Sequence, residues 1–391
     1  MKQVVPKIAL SLLALLAGVV AAEFILRAVA GKVNYMEPVT KPHEILYREI
    51  VPFSGGHDAW GMRNREVPEQ ADIVAIGDSQ TYGVAACAVN SWPAQLQRIT
   101  GRTVYNMGMP GYGPVQYLWL LEHRALTLHP RVIVVGYYAG NDLYDAYVMA
   151  YCYEYWKHLR APGRSGLHGA ARTDAALGVA EQRAGDNLFA RTKDWLGHHT
   201  VMYRMLTYSL LGPLKSRLMR MGDLDGVTVY RDSERNVETA FRTARDLQEV
   251  RLSNPDITEG MRICRGLFAE MNGICRENGA SLVVLMIPTK EQVFGKYIKG
   301  NRALAYSAQI DEHLDSVGKS SEALEAFFAE NGIAYVDPLD ALEKALETTR
   351  IYAGNWETHP NKNGYRVIAD AVKECLERKM LLDKHDDKTS R

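Results

Sequence analysis

The sequence predicts an α/β protein in which a parallel sheet of five strands lies between two layers of helices, with an apolar helix before it. Short runs of apolar, β-branched residues alternate with helical stretches along most of the chain. The runs are apolar throughout, which is typical of parallel strands that are covered on both faces. A third observation, an uncharged segment near the N-terminus, predicts the additional helix.

The N-terminal segment, residues 1–32, is predicted to be a membrane anchor or a signal sequence. Residues 8–22 carry no charge, and the apolar character continues to Ala30, which is long enough to span a bilayer. Cleavage after Val20-Ala21-Ala22 stays open, as does a buried core helix. We expect a single-pass protein of the cell membrane with its main domain outside the cytoplasm, which means the periplasm if the cell is Gram-negative. The alternative is secretion after cleavage.

The main domain is predicted over residues 71–380, after a spacer at 33–70 and before a disordered tail at 381–391. Five strands are predicted at 71–77, 103–106, 131–138, 281–287 and 333–336. Helices are predicted near 91–100, 115–128, 258–278, 302–330 and 362–379. This alternation suits a small doubly wound, flavodoxin-like sheet with a three-layer α/β/α architecture.

The alternation stops between Asp145 and Asn254, so residues from about 146 to 254 are predicted to be an insertion. Amphipathic pieces lie near 189–220 and 234–252, and the insertion could be a cap over a site or a surface subdomain. Its aromatic side chains could line a groove for sugar or acyl groups, but a small satellite core is the favoured interpretation. These side chains are Tyr147, Tyr151, Tyr153, Tyr155 and Trp156.

Charge and cysteine content exclude several classes of function. The 46 basic and 46 acidic residues of the 391 cancel, which gives no support to a nucleic-acid partner. The five cysteines lack CxxC spacing, and no metal or other cofactor is predicted. Of the 11 histidines, all except His359 lack metal-ligand spacing and are interpreted as surface residues.

Polar and glycine-rich segments follow the predicted strands. Asp78 and Ser79 end the first strand, a glycine-rich segment at 107–114 follows the second, and Asn141 follows the third. His359 stands on the loop before the last helix. Ligands of open parallel sheets bind beyond the carboxyl ends of the strands, so we expect these groups to meet at one edge. Glycines within the second segment, such as Gly108, are interpreted as ordinary loop residues.

Four of these segments, GDSQTYG, NMGMPGYG, AGND and THPN, resemble the four signatures of the GDSL, or SGNH, hydrolases. They occur in the family's order, and the resemblance covers residues 71 to about 380 apart from the insertion. The family comprises esterases, lipases, carbohydrate deacetylases and some O-acyltransferases on a three-layer α/β/α fold. The resemblance therefore implies the SGNH hydrolase fold and serine-based ester chemistry.

Carried over by position, the family's catalytic roles fall on four residues. Ser79 would be the nucleophile and His359 the base that takes its proton. The oxyanion donors would be the backbone N–H of Ser79, the backbone N–H of Gly111 and the side-chain amide of Asn141. Gly111 suits this role because a residue without Cβ lets its backbone approach a ligand closely.

The match departs from the family at the acid that should orient the histidine. The family usually has an aspartate three residues before the histidine, where this chain has Trp356. Glu357, two residues before, is similar to the Asp-Thr-His of the alginate-type acetyltransferases and is the favoured acid. A Ser–His dyad supported by a backbone carbonyl, or Asp337, stays open. Lys290 resembles a Pro-x-Lys segment of the same relatives, but a surface lysine is the favoured interpretation.

Together these observations predict an extracytoplasmic serine esterase that hydrolyses O-acyl esters, above all O-acetyl esters on a glycan, through an acyl-enzyme on Ser79. An O-acyltransferase that modifies a cell-surface or secreted polysaccharide is the first alternative. A non-catalytic binding protein on the same fold is the second. The expected partners are an acyl-ester substrate, such as an acylated glycan, and the membrane.

Overall fold

The computed structural model describes residues 4–164, 188–207, 226–233 and 237–382. The predicted disordered tail therefore lies almost wholly outside the described residues, as does part of the predicted insertion. The chain divides into two compact units. The first comprises Met1–His43, Arg48–Glu66 and Gln182–Gly222, and the second comprises Glu44–Tyr47, Val67–Glu181 and Asp223–Arg391.

The secondary structure of the described residues follows the predicted alternation. The strands are β1 (Thr40–His43), β2 (Tyr47–Ile50), β3 (Ile73–Gly77), β4 (Val104–Gly108), β5 (Val132–Tyr138), β6 (Thr228–Asp232), β7 (Val237–Phe241), β8 (Ser281–Ile287) and β9 (Ala334–Val336). The helices are α1 (Val4–Val29), α2 (Lys32–Tyr35), α3 (Ser79–Tyr82), α4 (Trp92–Thr100), α5 (Pro114–His123), α6 (Asp142–Cys152), α7 (Leu188–His199), α8 (Val201–Leu206), α9 (Thr243–Asp246), α10 (Pro255–Glu277), α11 (Lys290–Val293), α12 (Gly295–Ile298), α13 (Ser307–Glu330), α14 (Leu339–Leu346) and α15 (Lys362–Arg378).

The second unit is built on a parallel five-stranded sheet in the order β4-β3-β5-β8-β9. Numbered along the sheet's own strands, this is the order 2-1-3-4-5 of a flavodoxin-like doubly wound sheet. The predicted fold class is confirmed. All residues of β3, β4 and β5 are buried, which explains why the sequence reads them as continuous apolar runs.

Helices cover both faces of this sheet because alternate strand residues point to opposite sides. Ile73 and Ala75 of β3 share one buried cluster with side chains of α4 and α15, such as Leu96 and Ile368. Val74 and its alternating neighbours are equally buried, and on their side α5 contacts β3 while α10 contacts β8. The sheet therefore lies between two layers of helices, and a site can form at the carboxyl ends of its strands.

The first unit contains the apolar N-terminal helix. Within α1, Lys7–Val29 is a 23-residue stretch of mean hydropathy 2.4, which is long and apolar enough to cross a membrane. A signal sequence would meet the same criteria. The one acid of this stretch, Glu23, is paired: its carboxylate accepts hydrogen bonds from the backbone N–H groups of Val201 and Met202, each at 2.9 Å, and from Arg27.

The segment predicted to be a spacer, residues 33–70, contains local structure of its own. Strands β1 and β2 form a separate two-stranded sheet. The carboxylate of Asp58, which is buried, accepts hydrogen bonds from the backbone N–H groups of Trp60 and Met62, each at 2.9 Å, and closes a tight turn.

The predicted insertion contributes no strand to the central sheet within its described residues. The amphipathic piece near 234–252 contains strand β7, which pairs antiparallel with β6, followed by the short helix α9. Of the five aromatic side chains, Tyr147, Tyr151 and Trp156 are buried, and the rings of Tyr147 and Tyr151 lie 4.7 Å apart. Tyr147 and Tyr151 therefore pack against each other on α6, which lies against α10. A satellite core stays a prediction.

Candidate active site

Ser79 is placed at the carboxyl end of β3, as the first residue of the short helix α3. Asp78, between strand and helix, is buried and caps the helix, because its Oδ1 accepts a hydrogen bond from the backbone N–H of Gln80 at 2.8 Å. Gly83, in the left-handed region at φ 84°, ends the helix after one turn. The serine is therefore held at the edge of the sheet.

Three glycines at the ends of adjacent strands form the surface on which α3 lies. Gly77 pairs with Gly108 on one side and with Gly136 on the other. A Cβ on Gly108 would stand 2.2 Å from the backbone nitrogen of Tyr82, and one on Gly77 would stand 2.2 Å from Thr81 Oγ1. Gly108 is thus not the ordinary loop glycine that the sequence analysis expected: it ends strand β4, and no larger residue leaves room for α3.

His359 links Ser79 to Glu357. Its Nε2 lies 2.7 Å from Ser79 Oγ, and its Nδ1 shares a hydrogen bond with Glu357 Oε1. Glu357 Oε1 also accepts the backbone N–H of His359 at 3.1 Å, which fixes the loop that carries both residues. Ser79 Oγ lies 3.3 Å from Asp78 Oδ2, so the histidine is the closer of its two acceptors.

The other candidate acid lies elsewhere. Asp337 follows β9 and is exposed, and its Oδ1 accepts a hydrogen bond from the backbone N–H of Leu339 at 2.8 Å. This is the geometry of a residue that stabilises the start of α14. The structure therefore brings Glu357, and not Asp337, to the histidine.

The two carboxyl groups beside Ser79 and His359 differ in their ionisation. Burial raises the pKa of Asp78 to about 6, although Gln80 and His359 oppose this shift. For Glu357, burial acts in the same direction but the hydrogen bonds and charge of His359 outweigh it, which lowers the pKa of Glu357 to about 2. Glu357 therefore stays a carboxylate to a lower pH than Asp78, and the carboxylate is the form that can orient and stabilise an imidazolium.

Lys290 is buried, against the expectation of a surface lysine. Its ammonium donates hydrogen bonds to three backbone carbonyls, those of Asn355 at 2.6 Å, Glu357 at 3.2 Å and Ala240 at 3.2 Å. Burial lowers the pKa of Lys290 to about 8, and nearby carboxylates, first Glu291 and then Glu357, oppose this shift. One side chain therefore ties the loop before His359 to strand β7 of the hairpin.

The three predicted oxyanion residues, Ser79, Gly111 and Asn141, line one pocket together with His359. Gly111 has a positive φ of 79°, a conformation that favours glycine, in the loop after β4. Asn141 is the N-cap residue of α6, and its buried Oδ1 has no hydrogen-bond partner among the described residues. The structure thus gathers every predicted site residue at one edge of the sheet.

The pocket, of about 160 Å³, also contains groups that the sequence analysis did not assign. His313 of α13 lines it and is buried, and His57 is buried in the first unit, so both correct the expectation of surface histidines. A sequence signal existed for four of the unassigned residues: Thr289 and Glu291 lie within four residues of a predicted strand end, and Gly140 and Thr358 stand in two of the signatures. The remaining lining residues are Tyr138, Asp145, Arg242, Arg245, Asp246 and Glu249.

The site on this fold has the composition of a serine hydrolase centre: a hydroxyl, an imidazole and a carboxylate in series, beside backbone and amide groups that could meet an oxyanion. His359 Nε2 is within reach of the Ser79 proton, and the Glu357 carboxylate can hold the opposite ring nitrogen.

No protein-family model and no curated protein matches the chain. Among solved structures it is similar to a GDSL-like lipase from Bacteroides thetaiotaomicron, at 10% identity over 78% of this chain and 88% of that one, with a TM-score of 0.36. It is also similar to a member of the lipolytic protein G-D-S-L family from Veillonella parvula, at 12% identity over 78% and 98% of the two chains, with a TM-score of 0.33.

A third similar structure is a catalytic mutant of an acetylxylan esterase from Geobacillus stearothermophilus. The identity is 13% over 79% of this chain and 95% of that one, with a TM-score of 0.36.

Proposed function

We propose that this protein is a serine esterase that hydrolyses O-acyl esters through an acyl-enzyme on Ser79. The observation that carries the proposal is the position of His359, with one ring nitrogen 2.7 Å from Ser79 Oγ and the other hydrogen-bonded to the carboxylate of Glu357. A serine hydroxyl becomes a competent nucleophile when a neighbouring base takes its proton, and the base is most effective when a third group orients it.

The reaction divides into two steps of the same kind. In the first, Ser79 Oγ forms a bond to the ester carbonyl carbon while His359 takes the proton. The tetrahedral intermediate then expels the alcohol, which receives the proton from His359, and the acyl-enzyme remains. In the second, water attacks the acyl-enzyme while His359 takes its proton. The intermediate then breaks its bond to Ser79 Oγ, which receives the proton back from His359, and the carboxylic acid leaves. The N–H groups of Ser79 and Gly111 and the amide of Asn141 stabilise both oxyanions.

The acyl group, the location and the substrate are proposed from three further observations. A small polar pocket favours a short acyl group such as acetyl over a long chain. The apolar N-terminal helix supports a membrane anchor with the catalytic domain outside the cytoplasm. An acylated glycan outside the cell fits both features, and the acetylxylan esterase among the similar structures is in line with it.

An O-acyltransferase for a polysaccharide shares the acyl-enzyme and differs only in passing the acyl group to a sugar hydroxyl. The polar groups that line the pocket beside Ser79 favour it as the second candidate, because they could hold such an acceptor. The non-catalytic alternative rested on a missing acid, and the hydrogen bond between Glu357 and His359 removes that argument.

The attack by Ser79, which an esterase and an O-acyltransferase have in common, can be tested without the natural substrate. The full chain, in detergent micelles, is treated with a fluorophosphonate, and the adduct is mapped by mass spectrometry. We expect the adduct on Ser79, and we expect Ser79→Ala to lower hydrolysis of p-nitrophenyl acetate at least about a thousandfold, because a triad acts as a unit.

The matched control is Ser253→Ala, which removes the hydroxyl of an exposed serine outside the pocket and should leave labelling and turnover unchanged. An adduct on a different serine, or equal rates for the wild type and Ser79→Ala, would show that Ser79 is not the nucleophile.

A further inference from the structure

One wall of the pocket is not used by the ester chemistry described above. It is lined by four acidic side chains, here called the carboxylate wall: Asp145, Asp246, Glu249 and Glu291. Two of them come from the segment after β7, within the predicted insertion, and Glu291 directly follows Lys290. Nothing in the proposed roles of Ser79, His359 and Glu357 requires this concentration of acids.

Several polar atoms of this wall are buried without a hydrogen-bond partner among the described residues. Glu291 is 2% exposed and Asp246 is 9% exposed, yet Glu291 Oε1 and Asp246 Oδ2 have none. His313 is 1% exposed, and while its Nε2 lies 3.3 Å from Thr289 Oγ1, its Nδ1 has no partner. Arg242 Nε is also buried without a hydrogen-bond partner among the described residues.

Such atoms are costly to leave unpaired and are few in native proteins. A group of them around one pocket indicates that a ligand supplies the missing hydrogen bonds. Burial raises the pKa of Glu291 and raises that of Asp246 to about 6. In their ionised form these carboxylates can only accept, so a ligand that pairs with that form must donate to them. Arg242 Nε adds a donor at the same wall, and His313 Nδ1 adds a nitrogen that donates or accepts according to the tautomer of the neutral ring.

We propose that the carboxylate wall binds the alcohol half of the ester, and that this half is a polyhydroxylated ring. The inference rests on the proposed esterase function. Each ring hydroxyl donates one hydrogen bond and accepts others, which matches a wall that presents both carboxyl oxygens and guanidinium nitrogens. The acyl group cannot take this place, since an apolar chain would leave the buried carboxylates unsatisfied.

The charge of the wall favours a neutral ring over a cationic amine. Arg242 and Arg245 line the same pocket and offset two of its four acids. Burial raises the pKa of Asp246 to about 6 and of Glu249 to about 7, which reduces the remaining negative charge near neutral pH. Burial lowers the pKa of His313 to about 4, so His313 contributes no charge.

The size of the pocket limits the ring. Its volume of about 160 Å³ is smaller than the roughly 300–1,000 Å³ of sites for drug-sized ligands. A single sugar-sized ring beside a short acyl group is therefore the class of substrate that we assign. Long-chain lipid esters lack the donors that the wall requires.

The test compares two acetyl esters of similar ring size on the full chain in detergent micelles. One is a methyl glucopyranoside with a single O-acetyl group, and the other is cyclohexyl acetate, which has no hydroxyls. After division by each ester's hydroxide-catalysed rate, we expect kcat/KM to be at least about tenfold higher for the glycoside, because one hydrogen bond to a charged group is worth that much.

The variant Glu291→Met removes the acceptor oxygens at similar length, and should lower the ratio of the two kcat/KM values about tenfold. Glu270→Met, a change at an exposed position of α10, is the matched control and should leave the ratio unchanged. Inhibition of the wild type gives a readout that needs no variant: methyl glucopyranoside should inhibit competitively at lower concentration than cyclohexanol.

Equal normalised rates for the two esters in the wild type would overturn the assignment, as would an equal loss on both esters in Glu291→Met. Either result, with a fluorophosphonate adduct still on Ser79, rejects the polyol subsite alone. Loss of the Ser79 adduct would instead reject the esterase proposal on which it rests.

Discussion

At the scale of single residues, Glu357 is the acid whose role separates most clearly from its rivals. We expect Glu357→Gln to lower kcat about 10³- to 10⁴-fold on p-nitrophenyl acetate. The neutral amide cannot stabilise the imidazolium, and because it can donate as well as accept, it does not hold the ring in a single orientation. Asp337→Asn should stay within about twofold, since an asparagine can also accept the hydrogen bond from the Leu339 N–H.

The pH dependence of Tm shows whether Glu357→Gln acts by removing a carboxylate that is ionised in the folded state. The folded pKa of Glu357 is about 2, below its ordinary value of 4.5, so the folded state favours the carboxylate. This stabilisation is present above about pH 4.5 and is lost as the pH falls towards 2. The difference in Tm between the wild type and Glu357→Gln should therefore shrink between pH 6 and pH 3. A larger loss of activity in Asp337→Asn would transfer the role of the acid to Asp337.

The site residues that sequence motifs predict differ from those that the motifs miss in where their partners lie along the chain. Ser79, Asn141 and His359 belong to short signatures at strand ends, so their meeting follows from the parallel sheet. His313 carries no signature, and Lys290 has only its resemblance to a Pro-x-Lys segment, for which a surface lysine was the favoured interpretation. The environment of both residues is made by distant segments. The ammonium of Lys290 donates hydrogen bonds to the carbonyls of residues 240, 355 and 357. No local sequence pattern predicts these partners. A lone lysine or histidine therefore reads as a surface residue.

At the scale of elements, the glycines under α3 decide whether the nucleophile can lie at the sheet edge. We expect Gly108→Ala to lower both the unfolding free energy and esterase activity, because its Cβ would stand 2.2 Å from a backbone nitrogen of α3 that cannot yield. A decrease of about 1–3 kcal/mol is typical of such overpacking. Chemical denaturation followed by circular dichroism measures it.

The matched control for this glycine is Gly273→Ala within α10. A Cβ there meets no atom within 4 Å, and alanine is favoured over glycine in a helix by about 0.5–1 kcal/mol. This variant should therefore be slightly more stable than the wild type, with unchanged activity. If Gly108→Ala were as stable and as active as Gly273→Ala, the close packing of α3 on β4 would not matter for the site.

Elements with a uniform apolar pattern are predicted from sequence far better than elements with a mixed one. The strands of the central sheet begin and end within two residues of their predicted bounds, because they are apolar on both faces. The hairpin of β6 and β7 is not predicted: it alternates buried Thr228 and Tyr230 with the exposed Val229. Polar residues occupy its inner face, so the usual signal of a half-buried strand is absent.

At the scale of the whole molecule, the order 2-1-3-4-5 explains why one edge of the sheet collects the site. Ser79 and Asn141 follow the adjacent strands β3 and β5, and Lys290 and Glu291 follow β8, the next strand along. The loop before α15 then needs only to bring His359 to the same edge. The topology thus supplies the meeting point, while the segment after β7 supplies side chains that no strand end could provide.

The last prediction concerns the apolar helix and the location of the whole chain. At 1.5 Å per residue, the 23 residues of Lys7–Val29 extend about 34 Å, which exceeds the hydrocarbon thickness of about 30 Å. The charge of Glu23 near its end is paired with Arg27 and with two backbone N–H groups, which lowers the cost of placing it at the interface.

We therefore expect the chain to remain with the membrane fraction after alkaline carbonate extraction, and its N-terminal peptide, recovered by mass spectrometry, to lie before residue 8. A soluble protein that begins at Glu23 would instead demonstrate signal cleavage and secretion. Cys87 tests the side on which the domain lies, because it follows the span and is partly exposed. A membrane-impermeant maleimide should label it in intact spheroplasts, and labelling only after lysis would place the domain in the cytoplasm.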